Sequence, residues 1–198
     1  MKILATSDIH NDLRFCAEIV TKAIENEVDV IVISGDLTNF GTQEELQLVI
    51  KNLDCGIPYV LAGGNHDSSI YSTKFAKFLK KYSNFFLLRD SYITIDGVKF
   101  YGSPYTIRFK NWWFMEKESC MPKHLPKEEC DIMICHQPIS HEKISYSETA
   151  FGFADLGCQA YNDFIEKSKI KHYITGHAHE CGGGEALIGN TQVHNCAG

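Results

Sequence analysis

A chain of 198 residues is expected to fold as one compact domain, residues 1–198, burying roughly 70% of its unfolded surface, enough for a core without staples. Its 44% hydrophobic and 22% charged content excludes disordered and fibrous classes, and runs such as Val30-Ile31-Val32-Ile33 are too short to span a membrane. Asp8 interrupts the N-terminus before a signal-peptide core forms, which argues for a cytoplasmic chain, and a formal charge of −6 without a block of like charge argues against a stable nucleic-acid partner.

In chain order, Lys2–Ser7 reads as a buried strand and Leu13–Glu25 as an amphipathic helix. Val28–Ser34 is rich in β-branched residues and predicts a second strand. A helix follows near Thr42–Leu53, where Thr42 and Glu45 have capping-box spacing. Pro58–Ala62 predicts a third strand. Ser68 or Ser69 then caps a helix whose Phe75, Phe78, Leu79 and Tyr82 repeat on one stripe. This order of strands and helices predicts parallel pairing, with ligands gathering at the carboxyl ends of the strands. From Ser91 the pattern changes: Tyr92–Ile95 and Val98–Tyr101 flank Asp96-Gly97, a hairpin signal. Asp131–Cys135 and His172–Thr175 read as strands, Cys158–Lys167 as a helix, and Ala186–Ile188 with Gln192–Asn195 as a second hairpin around Gly189-Asn190-Thr191. Tyr105–Lys127, with Pro104 before it and Pro122 and Pro126 within it, predicts one long irregular segment, a feature that is usually functional or mobile. Eight cysteines form no C-x-x-C pair, which excludes a zinc knuckle or a thioredoxin motif and leaves them as reduced thiols.

Nine histidines are the unusual feature of the composition. Five sequence pieces follow predicted strands directly: Asp8-Ile9-His10, Gly35-Asp36, Gly64-Asn65-His66-Asp67, Cys135-His136 and Gly176-His177-Ala178-His179. Singly, each is weak, since an Asp or His after a strand is commonly a cap. Together they bring carboxylates, an asparagine and imidazoles to one sheet edge, a donor set that suits a pair of divalent cations such as manganese, iron, cobalt, nickel or zinc. A carboxylate can bridge two such ions, and a water between them can lose a proton near neutral pH to become the nucleophile of an in-line displacement. Gly35, Gly64 and Gly176 permit tight turns close to the ions.

This motif order resembles the calcineurin-like metallophosphoesterase superfamily over the whole chain. The resemblance implies an α/β fold, a four-layer α/β/β/α sandwich with two mixed sheets, and a dinuclear centre that holds a small phosphoester substrate. It implies one metal on Asp8, His10, Asp36 and His179 and another on Asp36, Asn65, His136 and His177, with Asp36 as the bridge and manganese foremost in supporting activity. His66 becomes the general acid that protonates the leaving oxygen, with Asp67 as a second catalytic residue that orients or charge-tunes the centre. Cys135 stands where the family often has glycine, and Cys181 follows the last ligand by two residues. Both fit either small buried residues or thiols whose oxidation would release metal.

Gly35–Gly41 lacks the Asp-Arg pair of phosphoprotein phosphatases, and double-strand-break nucleases with Gly-Asn-His-Asp add a capping domain for which 198 residues leave no room. A looser resemblance joins Gly-Asp-Leu-Thr-x-x-Gly at 35–41, Tyr101-Gly102-Ser103-Pro104-Tyr105, Trp112-Trp113-Phe114, His136-x-Pro138 and Asp155 with Gly157-Cys158. These features are similar to small single-domain proteins related to class III cyclic nucleotide phosphodiesterases. It implies hydrolysis of phosphodiesters such as cyclic nucleotides, with phosphomonoester hydrolysis and a non-catalytic metal-stabilised scaffold as the alternatives. Tyr105, Trp112, Trp113 and Phe114 either stack on a base or pack beneath the irregular segment, and His141 is a candidate pocket residue. His124, His172 and His194 match no motif and are expected at the surface or in strands.

Overall fold

A computed structural model describes residues 1–149 and 152–198. The chain begins with β1 (Ile3–Thr6), α1 (Leu13–Glu25), β2 (Val30–Ile33), α2 (Gln43–Leu53), β3 (Tyr59–Ala62), α3 (Thr73–Leu79) and β4 (Phe85–Leu88). Then come β5 (Ser91–Ile95), β6 (Val98–Ser103), β7 (Thr106–Ile107), β8 (Met115–Glu116) and a 3₁₀ turn at Glu118–His124. The rest is β9 (Ile132–Cys135), β10 (Tyr146–Thr149), β11 (Gly152–Asp155), α4 (Gln159–Lys167), β12 (His172–Thr175), β13 (Glu185–Ile188) and β14 (Thr191–Asn195), with a second 3₁₀ turn at His179–Cys181.

The predicted strands and helices form, with boundaries within two residues for the first three strands and both long helices. The Thr42 hydroxyl accepts from the Glu45 amide while the Glu45 carboxylate accepts from the Thr42 amide, closing the capping box. The third helix is capped by Ser72, not by Ser68 or Ser69. Ser68 instead donates its hydroxyl to the Gly41 carbonyl, and the Ser69 carbonyl accepts from Gln43, so both serines tie loops together. Strand β4 and the β10–β11 hairpin carry no sequence expectation, and the irregular segment contains β7, β8 and the first 3₁₀ turn.

Period-two alternation sorts the strand residues between two faces. Ile31, Ile33, Tyr59 and Leu61 join Ile19, Val49, Ile50 and Phe75 of the first three helices in one apolar cluster. Their neighbours Val30, Val32, Val60 and Ala62 meet Phe100, Ile132, Ile134 and Ile174 in a second cluster. Met133, Cys135 and Tyr173 on the far side of the second sheet gather with Tyr161 and Ile165 of α4 in a third. Helices, sheet, sheet and helix therefore follow in the order that a four-layer sandwich requires.

The four-stranded sheet β1-β2-β3-β4 is parallel throughout rather than mixed, because each strand after β1 is entered through a helical crossover. The six-stranded sheet β13-β14-β12-β9-β6-β5 is mixed, with antiparallel hairpins at its edges and parallel strands at its centre. No helix among the described residues is long and apolar enough to cross a membrane. The eight cysteines are unpaired.

One side chain couples this architecture to the loop after β3. The Tyr71 hydroxyl accepts from the Gly63 amide at 2.9 Å and donates to the Leu88 carbonyl at 2.7 Å. Tyr71→Phe leaves both backbone groups without that partner, and the expected cost is about 1–3 kcal/mol in denaturant unfolding. An unchanged midpoint and slope would show that the hydroxyl is dispensable.

Candidate metal centre

The loops at the carboxyl ends of five strands meet at one edge. Asp8 and His10 follow β1, Asp36 follows β2, Asn65 and His66 follow β3, His136 follows β9, and His177 and His179 follow β12. Asp8, His10, Asp36 and His177 adopt φ values of 55°, 46°, 49° and 70°, a left-handed region costly for residues with a Cβ. Bonds between the loops hold this conformation. The Asp8 amide donates to the Gly35 carbonyl at 3.0 Å, the His10 amide to the Asp36 carbonyl at 3.0 Å, and the Asn11 amide to the Leu37 carbonyl at 2.9 Å. Glycine is required twice for close approach: a Cβ on Gly64 would overlap the Asp36 carboxylate, and one on Gly176 would overlap that of Asp8.

Among the described residues, ligand atoms converge in three groups, each spanning no more than 4.8 Å: Asp8, His10 and His179; Asp36, His136 and His177; and His10, Asp36 and His66. Asp36 and His10 are shared between groups. Each buried carboxylate has one oxygen fixed by a backbone amide. Asp8 Oδ2 accepts from His177 N–H at 3.0 Å, leaving Oδ1 only 3.1 Å from His179 Nε2. Asp36 Oδ1 accepts from His66 N–H at 2.7 Å, leaving Oδ2 3.1 Å from His136 Nε2 and 3.9 Å from His10 Nε2.

The imidazoles are oriented in the same manner. His136 Nδ1 donates to the Ser34 carbonyl at 2.9 Å, which leaves Nε2 as the inward atom, and His66 Nδ1 lies 2.7 Å from the Asn39 carbonyl. Asp8 Oδ1, Asn65 Oδ1 and His136 Nε2 are buried without a hydrogen-bond partner. Buried polar atoms whose only close neighbours are one another fit a divalent cation, so the residues present suit the implied pair of ions.

Electrostatics lead to the same conclusion. Burial alone would raise Asp8, yet His136, His10 and His179 hold it well below the usual carboxylate range. Burial likewise opposes ionisation of Asp36, and His136 holds it down. Burial would lower His136, but Asp36 and Asp8 push it up to about 9, so without a cation a proton takes the inward position. Burial and the neighbouring His136 push His177 down to about 4, which keeps it neutral.

Asp67 belongs to none of the three ligand groups, and its place beside Asp36 suits orientation and charge-tuning of the centre, not ligation. It is wholly buried; Oδ1 accepts from the amide and hydroxyl of Thr38 at 3.0 and 2.8 Å, and Oδ2 from the amides of Leu37 and Gly64 at 3.2 and 3.0 Å. It is a brace between the two loops that carry Asp36 and His66. Tyr105 is also reassigned: its ring stacks on His124 at 3.6 Å and its hydroxyl accepts from Arg89 at 2.8 Å, so it packs beneath the segment. Phe114 packs edge-on against Tyr71 and Tyr105. His124 itself is buried, not superficial, with Nδ1 2.7 Å from Asp90. Trp112 lies against the His66 ring at 4.1 Å, and Trp113 is exposed with its amide bonded to the Asn65 carbonyl. His141 belongs to a turn, where Nδ1 accepts from the Lys143 amide, and to none of the three ligand groups.

Cys135 is fully buried, with its thiol pushed well above the ordinary value by burial; Cys181 donates to the Tyr146 carbonyl at 3.0 Å and is raised by partial burial. Neither belongs to a ligand group or has thiolate character, which favours the structural reading of both. Ser34 and Asn39, whose carbonyls orient His136 and His66, escaped sequence reasoning because a backbone acceptor leaves no signature in residue identity. Phe109, 5.5 Å from His177, was hidden in the irregular segment.

A family model described as calcineurin-like phosphoesterase matches residues 1–181. One component of the SbcCD nuclease of Staphylococcus saprophyticus is 30% identical over 73% of this chain and 44% of its own length. A UPF0046 protein of Caenorhabditis elegans is 25% identical over 85% of this chain and 50% of its own. The chain thus spans about half the length of these two relatives. Among solved structures, TT1561 of Thermus thermophilus aligns with a TM-score of 0.75 at 15% identity, over 98% of this chain and 87% of the other. A dimetal phosphatase from Danio rerio aligns at 0.60 and 11%, over 98% and 87%. An archaeal phosphodiesterase aligns at 0.54 and 18%, over 98% and 82%.

Two outcomes test the centre. Asp36→Asn weakens the anion shared by two ligand groups, so metal analysis after dialysis should find loss of more than one site's content, whereas loss confined to a single site contradicts sharing. In metal-stripped protein, the stabilisation from the His136 proton is complete below the ordinary histidine value of 6.5 and is lost as pH rises through about 9. The Tm of stripped protein should therefore fall over that window, and manganese should reverse the fall. A flat profile that His136→Gln leaves unaltered would refute the assignment.

Proposed function

Because the chain belongs to the calcineurin-like phosphoesterase family, and so to the phosphoester hydrolases, we propose that it hydrolyses small phosphodiesters, cyclic nucleotides among them, at a two-cation centre with His66 as proton donor. The observation that carries this reading is the position of Asp36, with one oxygen held by the His66 amide and the other facing both the His136 and the His10 imidazoles. Asp8, His10, Asp36 and His179 would hold one ion and Asp36, Asn65, His136 and His177 the other. When bound, two such ions supply Lewis acidity and a nucleophilic water near neutral pH. Nitrogen and oxygen donors with no thiolate favour manganese among the candidate metals over softer ions.

His66 sits beside this donor set and has a distinct task. Its Nδ1 is engaged with the Asn39 carbonyl and its ring is backed by Trp112, so Nε2 is the atom left to hand a proton to the departing oxygen. Trp112 on this reading is a positioning residue.

Charge favours a diester over a monoester. Arg14 is the only arginine or lysine among the described residues lining the two cavities beside the ligands; it is 93% exposed and lies 3.8 Å from Asp12. A monoester carries nearly two charges at neutral pH, a diester one. With no arginine clamp to offset the second charge, the singly charged ester is the better match. The 30%-identical relative, part of a nuclease, also acts in a class of chemistry that cuts diesters.

His66→Ala should retain its metals while kcat falls ~10²–10⁴-fold on diesters with alkoxide leaving groups, and far less with p-nitrophenolate, which departs without a proton. Manganese-loaded protein assayed on bis-p-nitrophenyl phosphate, p-nitrophenyl phosphate and 2′,3′-cyclic nucleotides checks this. Equal losses on good and poor leaving groups would refute proton donation. No turnover of any ester by fully loaded wild type would leave a metal-stabilised scaffold.

A further inference from the structure

Against the cation centre lies a cavity of about 360 Å³ that has His177 in its wall and takes no part in the chemistry described above. One side is apolar. Phe109, 50% exposed, sets its ring 5.5 Å from that of His177, and Ile107 and Leu156 continue the surface. The Ile107 amide donates to Gln137 Oε1 at 2.7 Å, which fixes this wall to the loop that carries His136.

The other side consists mainly of acceptors. Glu118, Asp155, Ser140 and Gln159 line it, and no lysine or arginine does so among the described residues. Asp155 is held in place: the Ser140 hydroxyl donates to Oδ2, and Oδ1 accepts from the Ser145 hydroxyl at 2.5 Å and the Gly157 amide at 2.8 Å. Partial burial opposes ionisation, but these donors hold the carboxyl below its usual range. Glycine at 157 allows the close approach, since a Cβ there would overlap the Ser140 backbone.

An ionised carboxylate fixed by three donors, a second one nearby and a half-exposed aromatic ring form a surface that attracts donors and repels anions. We propose that this cavity seats one ester group of the substrate and selects a group that donates hydrogen bonds and bears no negative charge. The inference rests on the phosphodiester reading, because the cavity shares His177 with the centre that would hold the phosphoryl group. Two sources have the required chemistry: an alkylammonium ester, and the hydroxyl and amino donors of a nucleoside.

Glu118 is exposed and belongs to no ligand group, which makes it the variant of choice. Glu118→Lys should lower kcat/KM on a 2-aminoethyl diester, on 2′,3′-cyclic adenosine monophosphate, or on both by about tenfold, the worth of one charge-assisted hydrogen bond. Bis-p-nitrophenyl phosphate, whose esters donate nothing, should show no such loss and gain if anything from the added positive charge, and a carboxylate-bearing ester should improve most. Glu118→Gln separates the sources: it keeps an acceptor for a nucleoside hydroxyl but loses the charge that an ammonium needs.

A binding arm stands apart from catalysis. In metal-free protein, ethanolamine or adenosine should shift the NMR signals of Phe109 and Gln159, glycerate should not, and Glu118→Lys should abolish the response. If no ester is turned over yet this selectivity persists, the phosphodiester reading fails and the cavity assignment stands. If esters are turned over but Glu118→Lys alters all of them equally and no probe discriminates, the cavity assignment is overturned.

Discussion

Two buried carboxylates and a set of imidazoles are aimed at the same small volume, and the rest of the fold is arranged to keep them there. Asp8 Oδ1, Asn65 Oδ1 and His136 Nε2 are buried without a well-formed hydrogen bond, and the nearest neighbours of the first and last are other members of the cluster at 3.1 Å. In a low-dielectric interior such a set repels itself unless a positive charge intervenes. A proton on His136 is the least that can intervene, and its raised affinity reflects that demand. A divalent ion meets the same need for several donors at once. The centre is thus a site whose own electrostatics call for cations.

Holding such a cluster together requires structure that does not yield. Four of its residues have left-handed backbones, each an expense of roughly 1–3 kcal/mol that only surrounding contacts can sustain. The parallel sheet brings the loops side by side, and backbone bonds from Asp8, His10 and Asn11 to the neighbouring loop lock the turns. Asp67 completes the arrangement by accepting four hydrogen bonds from residues 37, 38 and 64. Its role is mechanical, though it adjoins a histidine whose proposed role is chemical. Burial first, and Asp36 beside it second, push the Asp67 carboxyl up to about 7 against the pull of these four donors.

What could be read in the sequence was whatever depends on residue type at short range. Short continuous apolar runs, rich in β-branched residues at Val28–Ser34, gave the central strands, and Thr42 with Glu45 gave a helix start correct to the residue. Strand-end carboxylates and histidines gave the cluster, because the parallel strands of both sheets, β1-β2-β3 and β9-β12, end at the same edge. Strand β4 was illegible: Phe85-Phe86-Leu87-Leu88 contains no β-branched residue and is short enough to read as part of the preceding helix. The β10–β11 hairpin was illegible for the opposite reason. Its described residues are largely exposed, as with Tyr146 and Phe153, so no buried face marks its period. Tyr105 and Trp112 looked equivalent in sequence, yet one packs on His124 and the other on His66, a difference decided by contacts far away in the chain.

The acidic balance of the chain acquires a different meaning once these pieces are combined. With a formal charge of −6 and cavities lined by Glu118, Asp155, Asp12 and Glu18, the surface around the centre repels phosphates. Asp8 and Asp36 are instead buried inward, where they would hold the cations of the proposed centre in one place. A polyanion extending into either cavity would meet the carboxylates that line it, whereas a small ester with one charge and neutral or cationic substituents would not. Selectivity against long nucleic acid can therefore arise from where the acids sit, without any group that recognises nucleic acid and rejects it.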